Sequence, residues 1–279
     1  MPELPEVETI TTAVCAFVKG KTVTSLDIYR DNLRWEIDKK LLRKAFVGAT
    51  VVSVFRRSKY MLLELSSGYH VVFHFGMTGN ICYESSAQPK IKHTHLVFGV
   101  NAPKSNAKDY IHFIDPRRFG HVAAIKSDGL WEHKFFSHLG PEPLECESLA
   151  EHLWSEARNK KRSIKVHLMD ASTVVGVGNI YASEALFLAG IRPTKVCSKI
   201  SKKNYGIISE KIKEVLKLAI KQGGTSFRDF KNVDGKPGYF KVHLNVYGRT
   251  GEKCHSCESA IKSIKQAGRM SFYCPKCQS

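Results

Sequence analysis

Apolar positions in the first twenty residues recur at helical spacing: Val7, Ile10, Val14, Phe17 and Val18 fall on one face. Pro5 suits a first helical turn, Glu6 and Glu8 suit the positive end of the helix dipole, and Gly20 suits the stop. The period then changes. From about Thr22 to Ile125 the chain runs through VTSLDIY, ATVVSVFRRSKYMLLEL, YHVVFHFGM, THLVFGV, YIHFID and GHVAAI, which are β-branched or aromatic and often alternating. Turn formers such as Ser66-Ser67-Gly68 and Asn101-Ala102-Pro103 punctuate them, and so many short strands predict a β-sandwich or barrel rather than a βαβ fold. HLGPEPLE, from His138 to Glu145, reads as a linker. Beyond it the helical period returns in LAEHLWSEAR, SIKVHLMD, NIYASEALFLAG and a long segment from Asn204 to Gln222. In that last segment Ile208, Ile212, Val215, Leu216 and Ala219 form one stripe with lysines on the other faces. Gly223-Gly224 ends it, and TSFRDFKNVDGKPGYF follows as a Gly- and Pro-containing loop.

These elements predict an α+β multidomain chain. Residues 1–135 form an N-terminal β-sandwich with flanking helices, 136–148 an interdomain linker, 149–240 a helical domain, and 241–279 a cysteine-bearing tail. No apolar stretch approaches the ~20 residues that span a bilayer. The opening MPELPEVETI has neither the basic start nor the apolar run of a secretory signal, so a cytoplasmic location and no membrane partner are expected. The composition is that of a globular protein, 43% hydrophobic with a mean hydropathy of −0.23. Its charge is not balanced: 43 Lys and Arg face 26 Asp and Glu, for a formal +17. Such an excess suits a polyanion, nucleic acid first, although a ribosome-associated or merely basic protein satisfies it too.

Four of the eight cysteines, Cys15, Cys82, Cys146 and Cys197, are scattered and read as ordinary thiols. The other four form two CxxC pairs, Cys254/Cys257 and Cys274/Cys277, separated by 16 residues. Each pair can hold one edge of a tetrahedron, so the spacing predicts one structural Zn2+ with all four positions filled by thiolates. The tail from Lys241 carries seven Lys and Arg against two acids and stays basic after the site's own charge is counted. A DNA clamp fits that finger, and so does a protein-binding one.

The opening is acidic in a basic chain, and the helix accounts for only part of it. If Met1 is removed, Pro2 presents a secondary amine; α-amino groups titrate near ~7.7–8.0, so an appreciable fraction is neutral and nucleophilic at neutral pH. Attack of such an amine on a sugar C1′ would displace a base and leave an iminium, and Glu3 beside it could move the protons.

Read in order, PELPEVE, RRSKYMLLEL (56–65), HFGMTGN (74–80), KHTH (92–95), DPRRFG (115–120), VVGVGNIYASEALF (174–187), DGKPGYF (234–240) and the four-cysteine finger resemble the bacterial formamidopyrimidine-DNA glycosylase family across essentially the whole chain. The resemblance implies a bifunctional DNA glycosylase/AP lyase of base excision repair, acting as a monomer on double-stranded DNA with oxidised purines. It implies a helical domain built around a helix–two-turn–helix element. Pro2 is then the Schiff-base nucleophile, Glu3 the proton relay, Glu6 a buttress, Lys59 an aid to β-elimination, and Arg269 the residue of δ-elimination and phosphate binding. Met77, Arg117 and Phe119 match the residues that fill the hole left by an everted base. Asn179, at a helix start suited to phosphate, joins His74, His93 and Lys160 as DNA-contacting positions, with Lys165 in support. Lys160 also reads as part of a solvated basic turn. The loop Thr225 to Tyr239 resembles a lid over the lesion. Two rivals remain: an endonuclease VIII-like glycosylase for oxidised pyrimidines, which usually opens PEGPE, and a zinc-dependent DNA-binding protein without catalysis.

Overall fold

The computed structural model describes residues 2–84, 92–101, 108–224 and 244–279. The chain divides into two compact units, Met1–Ser137 with Gly223–Tyr239, and His138–Gln222 with Phe240–Ser279.

In the first unit α1 (Leu4–Val18) precedes β1 (Thr22–Ile28), α2 (Lys39–Phe46), β2 (Val51–Arg57), β3 (Tyr60–Leu65), β4 (Tyr69–His74), β5 (Asn80–Glu84), β6 (Thr94–Asn101), β7 (Lys108–Ile114) and β8 (His121–Lys126). The strands form two antiparallel four-stranded sheets, ordered β1-β6-β7-β5 and β2-β3-β4-β8. Their inner faces meet through aromatic side chains: Phe73 of β4 lies 6.5 Å from Phe98 of β6 and 5.7 Å from Phe113 of β7. Val7, Ile10, Val14 and Val18 of α1 bury fully in the same core, each contributing roughly 1.5–3 kcal/mol. Phe17 is only partly buried and stacks on Tyr83 at 4.3 Å.

Two details depart from the sequence pattern. The apolar run Ala49–Leu65 is not one strand: it folds back at Ser58, whose φ of 57° makes the tight reversal, and Arg57 pairs with Tyr60 across the turn. The basic run KKLLRKAF forms α2, which buries Leu42, Ala45 and Phe46 and leaves Lys40, Arg43 and Lys44 in solvent. Asp38 caps it, its carboxylate accepting the Leu41 N–H at 2.9 Å. On the outer face Trp35 stacks against Phe135 at 5.6 Å beneath the Arg34 guanidinium, and Trp131 lies 5.6 Å from Phe136.

In the second unit α3 (Leu149–Ala157), α4 (Ile164–Leu168), α5 (Asn179–Leu188), a 3-10 turn (Cys197–Lys199) and α6 (Lys202–Lys221) lead to a hairpin of β9 (Lys262–Gln266) and β10 (Arg269–Tyr273). The α6 stripe is buried as its spacing predicts. Trp154 of α3 lies between two cations, Arg158 at 5.2 Å and Lys202 at 5.0 Å. The stretch that reads as a linker is fastened: Gly140 donates its N–H to Ala171 O at 2.8 Å, and Val175 donates to Pro141 O at 3.2 Å. A Cβ at Gly140 would stand 2.7 Å from the Ser172 carbonyl, so only glycine lets the backbones approach this closely. Among the described residues no helix is long and apolar enough to cross a membrane.

Candidate active site and nucleic-acid interface

Pro2 and Glu3 are buried at the start of α1. Glu3 is the N-cap in extended conformation, and Glu6 accepts the Glu3 N–H at 2.9 Å, one half of a reciprocal capping box. The first charged residues of the chain are therefore held by the helix terminus itself. Gly224 approaches the same spot: at φ 83°, a Cβ there would meet the Glu6 Cγ at 3.1 Å. Lys59 lies half-buried on the β2–β3 turn. Arg56 ties that turn to α1, with its Nε 2.6 Å from the Glu8 carboxylate and its Nη1 donating to Ser58 O at 3.1 Å. Sequence alone does not single out Arg56 and Glu8, because an ion pair 48 residues apart leaves no local signature.

Met77, Arg117 and Phe119 stand on two adjacent turns. Met77 and Phe119 remain 38% and 44% exposed, unlike the core residues their type suggests, and the Arg117 guanidinium lies 4.9 Å over the Phe119 ring. The turns touch backbone to backbone: a Cβ on Gly76 would stand 2.3 Å from the Phe119 carbonyl carbon, and Gly76 has φ 60°. Asp115, fully buried, accepts from Thr78 Oγ1 at 2.5 Å and from the Gly120 N–H at 2.7 Å. Neither Asp115 nor Thr78 stands out by residue type, although both lie inside the family motifs.

His74 precedes the Met77 turn and is half-buried, its Nδ1 accepting the Gly76 N–H at 3.2 Å. Burial, followed by the cations Arg34 and Lys59, pushes its pKa down to about 4, so at neutral pH it offers a neutral Nε2–H. His93 is exposed in the left-handed region, φ 67°, and lines a polar cavity of about 410 Å³ with Tyr29, Arg30, His95 and Arg118.

In the second unit Lys165 is 1% exposed, and its ammonium donates to Asn179 Oδ1 at 2.5 Å, Ser271 Oγ at 2.8 Å and Met270 O at 2.9 Å. It joins α4, the first residue of α5 and strand β10. A buried ammonium needs such acceptors. With its oxygen committed to Lys165, the Asn179 amide turns its NH2 away, as donor. Arg269 opens β10 after a two-residue turn, Ala267 at φ 45° and Gly268 at φ 78°, and is exposed. Arg269 and Lys165 line one cavity of about 300 Å³ with Arg162, Met169 and Gln266. In its wall Arg162 pairs with Asp170 at 2.6 Å; against the cost of burial, this bond and those from Ser172 hold the Asp170 carboxyl at about 2. Lys160 pairs with Glu156 at 2.9 Å on the surface.

The four tail cysteines converge, with all four sulfurs within 4.8 Å of one another. Cys257 and Cys274 lie 3.4 Å apart and Cys254 and Cys277 3.9 Å. Tetrahedral Zn–S bonds of ~2.3 Å place sulfurs ~3.8 Å apart, so the set fits one structural Zn2+. Backbone N–H groups of Ser256 and Cys277 point at sulfurs of Cys254 and Cys274, 3.5 and 3.4 Å away, which suits thiolates. Crowding divides the thiols: bonds from Ser259 draw Cys257 down to about 6, while its bond with Cys257 and burial push Cys277 up to about 12. Four thiolates this close need a dication. Phe187, Val246 and Ile261 complete a small core around Cys254 and Cys274. Buried Glu184 of α5 fixes the approach to the finger, accepting the N–H groups of Asn245, Val246 and Tyr247 at 2.8, 2.9 and 2.9 Å. It too is hidden from sequence reading, since one Glu in an apolar helix looks like a solvent face. Met1 and the predicted lid, 225–239, lie outside the described residues.

A family model described as the formamidopyrimidine-DNA glycosylase N-terminal domain matches residues 1–122, the corresponding H2TH domain matches 139–231, and a zinc finger found in FPG and IleRS matches 251–279. Curated formamidopyrimidine-DNA glycosylases from Hahella chejuensis and Salmonella dublin are 42% and 45% identical over 278 residues, covering all of both chains. Among solved structures, MutM in complex with DNA containing carbocyclic 8-oxo-G is similar at TM-score 0.89 with 31% identity, and 99% of each chain is covered. Lactococcus lactis Fpg in complex with abasic-site DNA gives the same TM-score, identity and coverage. MutM (Fpg) from Thermus thermophilus reaches 0.86 with 32% identity over 99% of this chain and 98% of that one. The chain belongs to the formamidopyrimidine-DNA glycosylase family.

Proposed function

We propose that this chain is a bifunctional DNA glycosylase and AP lyase that removes oxidised purines, 8-oxoguanine and formamidopyrimidines, from duplex DNA in the cytoplasm. The observation that carries the reading is the capped start of α1: Glu3 fixed by Glu6 directly after Pro2, in a helix tied by Glu8 and Arg56 to the turn of Lys59.

Once Met1 is removed, the Pro2 nitrogen attacks C1′ of the everted nucleotide; the N–C1′ bond forms as the bond to the base breaks, and Glu3 moves the protons. The sugar ring then opens, the C1′–O4′ bond breaking as O4′ takes a proton from Glu3, and the iminium so formed acidifies C2′. Loss of the C2′ proton expels the 3′ phosphate, aided by Lys59, and a second elimination, aided by Arg269, expels the 5′ phosphate. Met77 and Phe119 fill the vacated stack while Arg117 offers donors to the orphaned base. Asn179, Lys160, His93 and neutral His74 bind the sugar–phosphate backbone. Bound Zn2+, held by Cys254, Cys257, Cys274 and Cys277, supplies no chemistry beyond holding the finger that carries Arg269.

Borohydride reduction tests this. The wild-type protein should trap covalently on an 8-oxoguanine duplex, Pro2→Gly should not, and a duplex with an oxidised pyrimidine should trap less. Equal trapping by Pro2→Gly would remove the nucleophile assignment.

A further inference from the structure

We propose that Asp115 is the positioning residue that locks the two hole-filling turns into one body and thereby sets how the enzyme discriminates the base opposite the lesion. The inference rests on the glycosylase reading above and deepens it.

Asp115 precedes the Pro116–Phe119 turn, is fully buried, and commits both carboxylate oxygens. Oδ1 accepts the Thr78 hydroxyl at 2.5 Å and the Arg117 N–H at 3.3 Å, and Oδ2 accepts the Gly120 N–H at 2.7 Å. Thr78 closes the link by accepting the Arg117 N–H itself, at 3.1 Å. The main chain of Asp115 is held as well: its N–H donates to His93 O at 3.1 Å, and its carbonyl oxygen is 2.7 Å from His95 Nε2. Each bonded group neighbours an inserted side chain. Thr78 follows Met77, Gly120 follows Phe119, and Arg117 is bonded through its own N–H.

A second constraint lies beside the carboxylate: Gly76 touches the Phe119 backbone at a distance that excludes any Cβ. The three side chains that leave this body are exposed, while Thr78, Asp115 and Gly120 beneath them are buried. A donor placed to meet an orphaned base is selective only if its position is fixed to a fraction of an ångström. The buried carboxylate supplies that fixity.

Asp115→Asn keeps the volume and one acceptor. Its amide can serve Gly120 but then presents N–H to the Thr78–Arg117 side, so the Arg117 turn loosens. Thr78→Val cuts the same link from the other turn, and Thr78→Ser should restore it. Single-turnover excision is measured on duplexes with 8-oxoguanine opposite C and opposite A, together with borohydride trapping on a single-stranded abasic oligonucleotide, which has no stack to fill. For Asp115→Asn and Thr78→Val, duplex excision should fall by about 10- to 100-fold and the C/A ratio should collapse toward one. Single-stranded trapping should stay within about threefold, and Thr78→Ser should stay near wild type. A parallel loss of single-stranded trapping would reduce Asp115 to a folding residue, and an unchanged C/A ratio would overturn the proposal outright. If Asp115→Asn does not fold, the Thr78 pair decides by the same ratio. Failure of the wild type to trap on any substrate would strike the glycosylase reading instead, and this inference with it.

Discussion

The Glu6 carboxylate accepts the backbone N–H of Glu3 at 2.9 Å, one turn below the residue that would carry the reactive amine. Glu6→Gln keeps an acceptor and should retain both stability and trapping. Glu6→Ala should lose about 1 kcal/mol in thermal or denaturant unfolding. Its borohydride trapping should slow by about tenfold as the first turn loosens.

Arg56 holds the Lys59 turn against α1. Removing one partner of a buried pair costs about 3–5 kcal/mol, and the partial exposure of Glu8 brings the figure for Arg56→Ala to roughly 2–3 kcal/mol. Cleavage of a preformed abasic site should fall more than base release, because elimination is the step proposed for Lys59. Gel assays that separate the two steps would show the split.

Lys160 and Lys165 should part company in salt. Replacing Lys160 with Met should reduce the slope of log affinity against log salt by about one, the mark of a lost phosphate contact. Lys165 is buried and points at Asn179, Ser271 and Met270, so Lys165→Met should leave the slope unchanged. It should lower stability by about 1–3 kcal/mol instead, as those neutral acceptors lose their donor.

Chelation should unfold the finger. Structural zinc contributes on the order of 10 kcal/mol to so small a core, so its loss should abolish tight DNA binding and the second elimination, and added Zn2+ should restore both. Metal content measured alongside binding gives the stoichiometry.

Acid should destabilise the first unit through His74 and His121 and the second through His167. Burial, the leading cause in each, lowers all three pKa values to about 4. Between pH 4 and the unfolded value of ~6.5 the unfolded chain binds more protons, so stability is complete above about 6.5 and is lost as pH falls through that window. The expected loss is on the order of 1–3 kcal/mol per ring. His167→Gln should flatten part of the pH profile in denaturant titrations.

Much of this molecule is legible from its sequence for physical reasons. The α1 and α6 stripes, the strand-rich first half and the CxxC pairs are local patterns, and local patterns fix periodicity and ligand spacing. What stays hidden depends on partners distant in the chain. Arg56 meets Glu8, Lys165 meets Met270 and Glu184 meets Val246 only after folding. The hairpin at Ser58 is disguised because Arg57-Ser58-Lys59 holds no Gly, Pro or Asn. Helix α2 is disguised by its length, a bare two turns between strands. Asp115 sits in plain view within its motif, yet burial and bonding, not residue type, set it apart.

The three tryptophans fall unevenly, two on the outer face of the first unit and Trp154 alone in the second, flanked by Arg158 and Lys202. Replacing Trp35 and Trp131 with phenylalanine would leave a single tryptophan, inside the helical unit, which can be excited selectively over the ten tyrosines. Its emission would follow the melting of that unit alone, and stopped-flow records could then time its response to a DNA duplex without an attached dye.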